Sequence, residues 1–238
     1  MRLVDLTLDE PAANIALDEA LLDEAEASGE QCEYLRLWSP NQCSVVVGQS
    51  ARVADEVHVE FCERNNIVII RRCSGGGAIV TGPGCLMYAL ILGYAERADL
   101  RMIDRAHRFV LGEMRQAFQR MAIAAEFLGQ SDLTIGQLKF SGNSMRCKRT
   151  HFLYHGTLLY DFDLSLIPKT LKPPPRQPEY RQDRAHIDFV TNLNVPEASL
   201  RQAIIDQWQA ATIRQWPETR THELTAAKYS RREWNFKR

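Results

Sequence analysis

The chain has 238 residues, of which 45% are hydrophobic, with six cysteines and a formal net charge of -1. This length and composition predict one well-buried core in a single domain, and the near-zero charge gives no whole-chain attraction to nucleic acid or to an anionic membrane. MRLVDLTLDEPAAN lacks the apolar core of a secretory signal and no later run reaches membrane-spanning length, so the chain reads as cytoplasmic, its scattered cysteines as reduced thiols.

In chain order, PAANIALDEALLDEAEASG starts with Pro11 in a first-turn position and ends at Gly29. Its residues Ile15, Leu17, Leu21 and Leu22 form a broad apolar face, which predicts a helix. EYLRLW and CSVVVG predict two strands split by the turn signal S-P-N. A helix is predicted from about Asp55 to Arg64, then a strand at IVII, a glycine-rich stretch, and a second apolar strand at LMYALIL. From Asp104 to about Phe127, the residues Phe109, Val110, Met114, Phe118 and Met121 recur at helical spacing, the stripe a helix lays on a sheet. Three short strands follow, DLTI, LKFSGNS and FLYHGTLLY, the last two with Gly142 and Gly156 in strand settings. KTLKPPPRQPEYRQDR is basic, and Pro173, Pro174 and Pro175 exclude regular structure there, which predicts a surface loop. Helical pattern resumes at PEASLRQAIIDQWQAAT. Hairpin-like strand pairs mixed with crossover helices predict an α+β fold, a mixed and largely antiparallel sheet flanked by helices.

The stretch RRCSGGGAIV, from Arg71 to Val80, places three glycines between two apolar strands. Glycine weakens a strand interior, so three together mark either a turn or bulge or a place where backbone closely approaches something else. Arg71, Arg72 and Ser74 beside them point to an anionic partner. Neither G-x-G-x-x-G nor G-x-x-x-x-G-K-[ST] is present, so a nucleotide held here is held by another architecture.

Taken in order, NIALDEALL, LRLWSPNQCSVVVGQ, RRCSGGGAIV, SDLTIGQLKFSGNS, HGTLLYDFDL and KYSRREWN resemble the lipoate-protein ligase A family, within the wider group of lipoyl, octanoyl and biotin protein ligases and transferases. The resemblance runs from about Asn14 to Asn235. It implies the biotin/lipoate ligase catalytic-domain fold, which is class II synthetase-like. It also implies ATP- and Mg2+-dependent conversion of lipoate or octanoate to an acyl-adenylate, followed by transfer to a lysine of a lipoyl carrier domain. By the same resemblance Lys139, in LKFSG, is the essential lysine that bridges the acyl carbonyl and the phosphate. Arg72, Gly77, Ala78, Ile79 and Val80 form the nucleotide-binding segment, and Ser74, Gly75, Gly76 and Gly77 wrap the anhydride. Asp132 is the acidic member of the family's N-D pair, for metal or adenine contact, with Ser131 in place of the Asn. His155 and Gly156, in HGT, line the same sheet face, and Leu35, Leu37 and Val47 are candidates for an acyl tunnel, where each buried methylene contributes about 0.8 kcal/mol.

Thr81-Gly82-Pro83-Gly84 departs from the His-Asp usual in the ligases and is closer to octanoyltransferases, which hold the acyl group on a cysteine. No cysteine follows HGTLL and none lies between Phe127 and Lys139, so Cys73 and Cys147 are the remaining candidates, and the ligase reading is preferred. The alternatives are a transferase using a carrier-bound or pre-formed acyl donor, and a lipoate-binding protein without turnover. A biotin ligase is disfavoured by the missing arginine-glycine loop. The chain is expected to be a catalytic domain over 1–238 without the C-terminal accessory domain of two-domain ligases, which calls for a separate accessory subunit or a ready-made adenylate. Lys169, Lys172, Arg176, Arg181 and Arg184 are expected to offer a surface to an acidic carrier domain.

Overall fold

The computed structural model describes residues 1–28 and 32–237; the helix end expected at Gly29 lies outside them. The chain opens with β1 (Arg2–Asp5), α1 (Pro11–Ser28), β2 (Tyr34–Trp38) and β3 (Ser44–Val47), then α2 (Val53–Glu56) and α3 (Val59–Arg64). It continues with β4 (Val68–Arg71), β5 (Ile79–Thr81), β6 (Cys85–Gly93), α4 (Ile103–Arg120), β7 (Ala125–Leu128), β8 (Asp132–Ile135), β9 (Leu138–Cys147) and β10 (His151–Leu159). After these come α5 (Leu166–Thr170), α6 (His186–Phe189), α7 (Glu197–Trp208), β11 (Ala211–Thr212), α8 (Glu218–Leu224) and α9 (Arg232–Asn235).

Eight strands pair in the order β11-β1-β2-β6-β10-β9-β8-β7, and a smaller sheet has the order β4-β3-β5. Pairing within the large sheet is antiparallel except around β1, and β3 runs parallel to β4, so the mixed, largely antiparallel expectation holds.

The two faces of the large sheet are covered differently. On one, Ala106, Val110, Met114 and Phe118 recur every fourth residue of α4 and pack with Leu200, Ile204 and Trp208 of α7 against Leu86, Tyr88, Leu90, Tyr154 and Leu158. On the other, Leu17, Leu21, Leu22 and Ala25 of α1 cover Tyr34, Ala89, Ile91 and Leu153. Beside α1, the small sheet brings Val45, Val46, Val47 and Val80 onto Trp38, Cys85, Met87 and Leu159. Among the described residues no helix is long and apolar enough to cross a membrane.

Four expectations are corrected. The helix expected over 55–64 is broken at Val57, which leaves helical conformation to bridge Leu171. The helix expected to reach Phe127 ends at Arg120, and Phe127 lies in β7, where it pairs with Leu133. The helix expected to continue to Thr212 stops at Trp208, with Gln209 in the left-handed region, and Ala211–Thr212 join the sheet edge beside β1. The proline-rich segment is irregular and largely exposed, as expected, but not all of its basic residues are free for docking. Arg181 is buried and stacks on Phe189, while Arg184 donates to the carbonyls of Gln137, Tyr180 and Arg181. Lys172 donates to Ala54 O, leaving Lys169 and Arg176 as the exposed members of the expected docking set.

Candidate functional site

Strand residues alternate between faces. The pairings therefore place Trp38, Met87, Thr157, Gly142 and Asp132 in one row on the α1 side of the large sheet, and Arg36, Ala89, His155 and Ser144 in the next. Lys139 joins this face through a β-bulge. Leu133 pairs with Ser141 but Thr134 with Lys139, so Phe140 is an extra residue that enters the α4-side core while Lys139 turns toward the site. Gly142 leaves the space the lysine crosses, since a Cβ there would stand 2.9 Å from Nζ. The ammonium reaches Asp132 Oδ1 at 2.7 Å, and the other Asp132 oxygen accepts the Tyr180 hydroxyl at 2.8 Å. Tyr180 comes from the proline-rich segment, so that segment closes over this end of the site.

The glycine loop runs from β4 to β5 above the same face. Arg72 is buried and sews the loop together: Nε donates to Ser74 Oγ at 3.0 Å and Gly75 O at 3.1 Å, Nη2 to Gly77 O at 3.0 Å, and Nη1 to Val46 O at 3.2 Å. Burial pushes this guanidinium down to about 10, against the opposite pull of Glu56. Glu56 also accepts Ala78 N–H at 2.6 Å, and Ser144 Oγ donates to Gly75 O at 2.8 Å. Among the described residues, the N–H groups of Gly75, Gly76 and Gly77 have no hydrogen-bond partner. Gly76 has φ +85 and passes so close to Gly48 that a Cβ on the latter would lie 1.9 Å from Gly76 O. Ile79 and Val80 lie in the edge strand β5, whose outer backbone groups face away from β3.

Beneath the loop is a cross-tie. The buried Arg71 donates to the carbonyls of Gly48, Gln49 and Ala51 on one side and of Trp234, Asn235 and Lys237 on the other. Its backbone N–H and C=O are taken by the side chains of Asn235 and Trp234. Lys228 and Tyr229, from the same motif, bond Glu19 on α1.

A hydrogen-bonded series runs from the loop to α1. His155 Nε2 lies 2.6 Å from Ser74 Oγ, and His155 Nδ1 lies 3.1 Å from Asp18 Oδ2. The second Asp18 oxygen pairs with the fully buried Arg36, which also donates to Asn14 O and Oδ1. Burial alone would raise the Asp18 carboxyl, but Arg36 and His155 hold it below its ordinary value.

The structure thus gathers Arg72, Ser74, Gly75, Gly76, Gly77, Ala78, Asp132, Lys139 and His155 over one sheet face. It does not bring Gly156 there: successive residues of β10 face opposite ways, and a Cβ on Gly156 would meet Asn143 Oδ1 and Tyr88 on the α4 side. Leu35 and Leu37 likewise face the α4 core rather than a tunnel, and Val47 packs between the small sheet and its neighbours. Cys73 is buried with its thiol pushed up to about 12 by desolvation, and Cys147 is exposed at the far end of β9. Asp18, Arg36, Glu56 and Tyr180 were not picked out from the sequence. A signal existed for two of them, since Asp18 interrupts the apolar face of α1 and Arg36 interrupts the apolar run of β2.

Residues 10–213 match the family model described as lipoyl protein ligase A/B catalytic domain. Lipoate–protein ligase 1 of Staphylococcus aureus is 30% identical over 168 residues, 71% of this chain and 48% of that protein. The chain spans about half the length of this and the other first-ranking curated ligases it matches. Among solved structures, one from an archaeal lipoylation system, described as a bi-partite lipoate protein ligase and its E2 lipoyl domain from Thermoplasma acidophilum, superposes with TM-score 0.84. It is 24% identical and covers 99% of this chain and 95% of that one. A lipoate-protein ligase A bound with ATP superposes with TM-score 0.77 at 24% identity, covering 99% and 98%. At these identities the two structures establish the shared fold.

Proposed function

We propose, on the premise that this chain belongs to the lipoyl protein ligase A/B catalytic-domain family, that it is a lipoate–protein ligase, which joins lipoate or octanoate to AMP using ATP and passes the acyl group to a lysine of a lipoyl carrier domain. The observation that carries the reading is the placement, over one sheet face, of Lys139 and of a glycine loop whose Gly75, Gly76 and Gly77 N–H groups have no hydrogen-bond partner among the described residues. A carboxylate must be activated before an amine can take its acyl group, and activation forces two anions together. Fixed donors in a site with little water offset that repulsion.

Lys139 is the cation of the arrangement. Its compact ammonium pairs with Asp132 here and can turn between that carboxylate and the mixed anhydride, a role suited to three rotatable donors. The N–H groups of Gly75, Gly76 and Gly77 meet the phosphate, and the outer backbone groups of Ile79 and Val80 lie next along the chain for the base. Thr157, whose buried hydroxyl has no hydrogen-bond partner among the described residues, pairs with Gly142 and so stands beside Lys139, where a carboxylate oxygen would complete it. Mg2+, when bound, neutralises phosphate charge. Asp132 is the carboxylate on this face to hold it, and no group of three His, Cys, Asp or Glu side chains gathers into a cage among the described residues. That donor set fits a cation carried by one carboxylate and the substrate's own phosphates. The ligase names of the relatives and the lipoyl domain named beside the archaeal ligase support the acceptor.

The test is incubation with lipoate or octanoate and ATP-Mg, following pyrophosphate release and acyl-AMP by mass spectrometry, then addition of a lipoyl domain. Acyl-AMP followed by one acyl group on one carrier lysine is expected. Carrier acylation from octanoyl-carrier protein, with no acyl-AMP from either free acid, would replace the ligase with the transferase.

A further inference from the structure

We propose that Tyr180 is a positioning residue for Lys139: its hydroxyl fixes the Asp132 carboxylate, and the fixed carboxylate holds the ammonium where the activation step needs it. The proposal rests on the reading above, which gives Lys139 its part in acyl-AMP formation. Lys139 leaves β9 at the bulge and crosses the space over Gly142, where it pairs with Asp132 Oδ1 at 2.7 Å. A carboxylate held at one oxygen swings about its Cβ–Cγ bond, and an ammonium on a flexible four-carbon stem follows it. The second Asp132 oxygen accepts the Tyr180 hydroxyl at 2.8 Å. With its two oxygens held by two different donors, the carboxylate plane is fixed, and the ammonium with it.

Tyr180 is itself firmly placed, although its segment is irregular. Its turn, Glu179–Arg181, is closed by Arg181 N–H on Pro178 O and by Gln182 N–H on Glu179 O. The Tyr180 carbonyl accepts Arg184 Nη2 at 2.9 Å, and the same nitrogen donates to Gln137 O at 3.0 Å, which pins the turn to the tip of the β8–β9 hairpin. The ring packs on Phe189 with centroids 5.2 Å apart, and it fills the space beside Gly129, where a Cβ would stand 3.3 Å from Tyr180 Cε1. Burial and the Asp132 charge push the Tyr180 hydroxyl well above its ordinary value, so it stays protonated and donates to the carboxylate.

A tyrosine that only supports the fold acts through its ring, whereas a positioning tyrosine acts through its oxygen. Tyr180→Phe keeps the ring against Phe189 and Gly129 and frees one Asp132 oxygen. The carboxylate then turns, and Lys139 spends less of its time in place. ATP and the free acid are bound by other groups, so the loss falls on kcat and not on KM. Because the effect runs through Asp132, it disappears when that side chain is removed.

The test compares the full chain with Tyr180→Phe, Asp132→Ala and the double variant. With lipoate and ATP-Mg, pyrophosphate release by Tyr180→Phe should show kcat lowered about tenfold and both KM values within about twofold of the parent. A second readout needs no turnover: trace labelling of the free chain with acetic anhydride, scored by peptide mapping as the ratio of Lys139 to the exposed Lys169. Tyr180→Phe should raise that ratio at least about threefold, since the ammonium is released more often. In the Asp132→Ala background Tyr180→Phe should change neither kcat nor the ratio. Parent-like kcat in Tyr180→Phe, or an equal loss with and without Asp132, overturns the positioning role. A parent chain that makes no acyl-AMP overturns the ligase reading instead; the labelling ratio then decides for Tyr180, and an unchanged ratio counts against it.

Discussion

Replacing Gly75 and Gly76 by alanine, one at a time, separates the loop's structural demand from its ligand demand. A Cβ on Gly75 meets no atom within 4 Å, and its φ is outside the left-handed range. Loss of unfolded-state freedom should then stabilise Gly75→Ala by about 0.4–1 kcal/mol, raising Tm by roughly 1–4 °C in a chain of this size. Gly76 is different: φ is +85 and its Cβ would stand 2.9 Å from Arg72 Nη2, a guanidinium held by four acceptor groups. Left-handed strain alone costs about 1–2 kcal/mol, so Gly76→Ala should lose roughly 2–8 °C. Function should invert the order of severity for the first variant. If the open space above Gly75 is where the anhydride sits, a methyl group there weakens binding of a non-hydrolysable acyl-AMP analogue at least tenfold, which is about 1.4 kcal/mol. Thermal unfolding and calorimetric titration of the two variants supply both readings. A Gly75→Ala protein that binds the analogue as the parent does refutes the placement of ligand over the loop.

Lys139→Ala should lower acyl-AMP formation by about 10²–10³, and Lys139→Arg should fail to restore it, because a planar fork cannot replace the ammonium between Asp132 and the ligand; steady-state pyrophosphate release decides it, and full activity in either variant removes Lys139 from the chemistry. Arg181→Ala should cost about 1–3 kcal/mol of stability, since the side chain is buried against Phe189, whereas Lys169→Ala and Arg176→Ala should stay within about 0.5 kcal/mol. Urea unfolding separates these outcomes, and a neutral Arg181→Ala would return that residue to the surface role expected from the sequence. Burial holds His107 and His151 below their ordinary value near 6.5, so below that pH the unfolded chain binds more protons than the folded one and stability falls on acidification. Unfolding at pH 7.5 and 5.5 should show the loss, and His107→Gln should make it smaller; equal stability at both values contradicts the sign.

Which residues form strands and where backbone passes close to a neighbouring segment were legible, because apolar runs such as LMYALIL and the triple glycine leave few other uses for those residues. Which way a strand faces was not. Every residue of β2 is buried, and its one charged residue, Arg36, breaks the apolar run without saying that Leu35 and Leu37 look toward α4 and Arg36 and Trp38 toward the site. The same difficulty joined Gly156 to His155, although one faces Asn143 and the other Ser74. Basic residues in the proline-rich segment looked solvated because charge seldom enters a core, yet Phe189 gives Arg181 and Arg184 a ring to stack on. That ring lies beyond the segment, in α6, and only the fold shows the return. The motif singled out Lys139 but not the bulge at Phe140 that turns it toward Asp132, since a one-residue register shift leaves no mark on composition.

The Arg71 cross-tie also bears on the order in which the protein assembles. Its bonds to Gly48, Gln49 and Ala51 close within 23 residues or fewer, whereas those to Trp234, Asn235 and Lys237 close across 163 to 166. Contacts of such separation carry the largest loop-closure entropy and form after local pairings have reduced the search. The hairpin of β9 and β10 can therefore be in place while the glycine loop still lacks its brace. In refolding, amide protection of the β9–β10 ladder should precede protection around Gln49 and Ala51, and competence to bind nucleotide should arrive with the later phase.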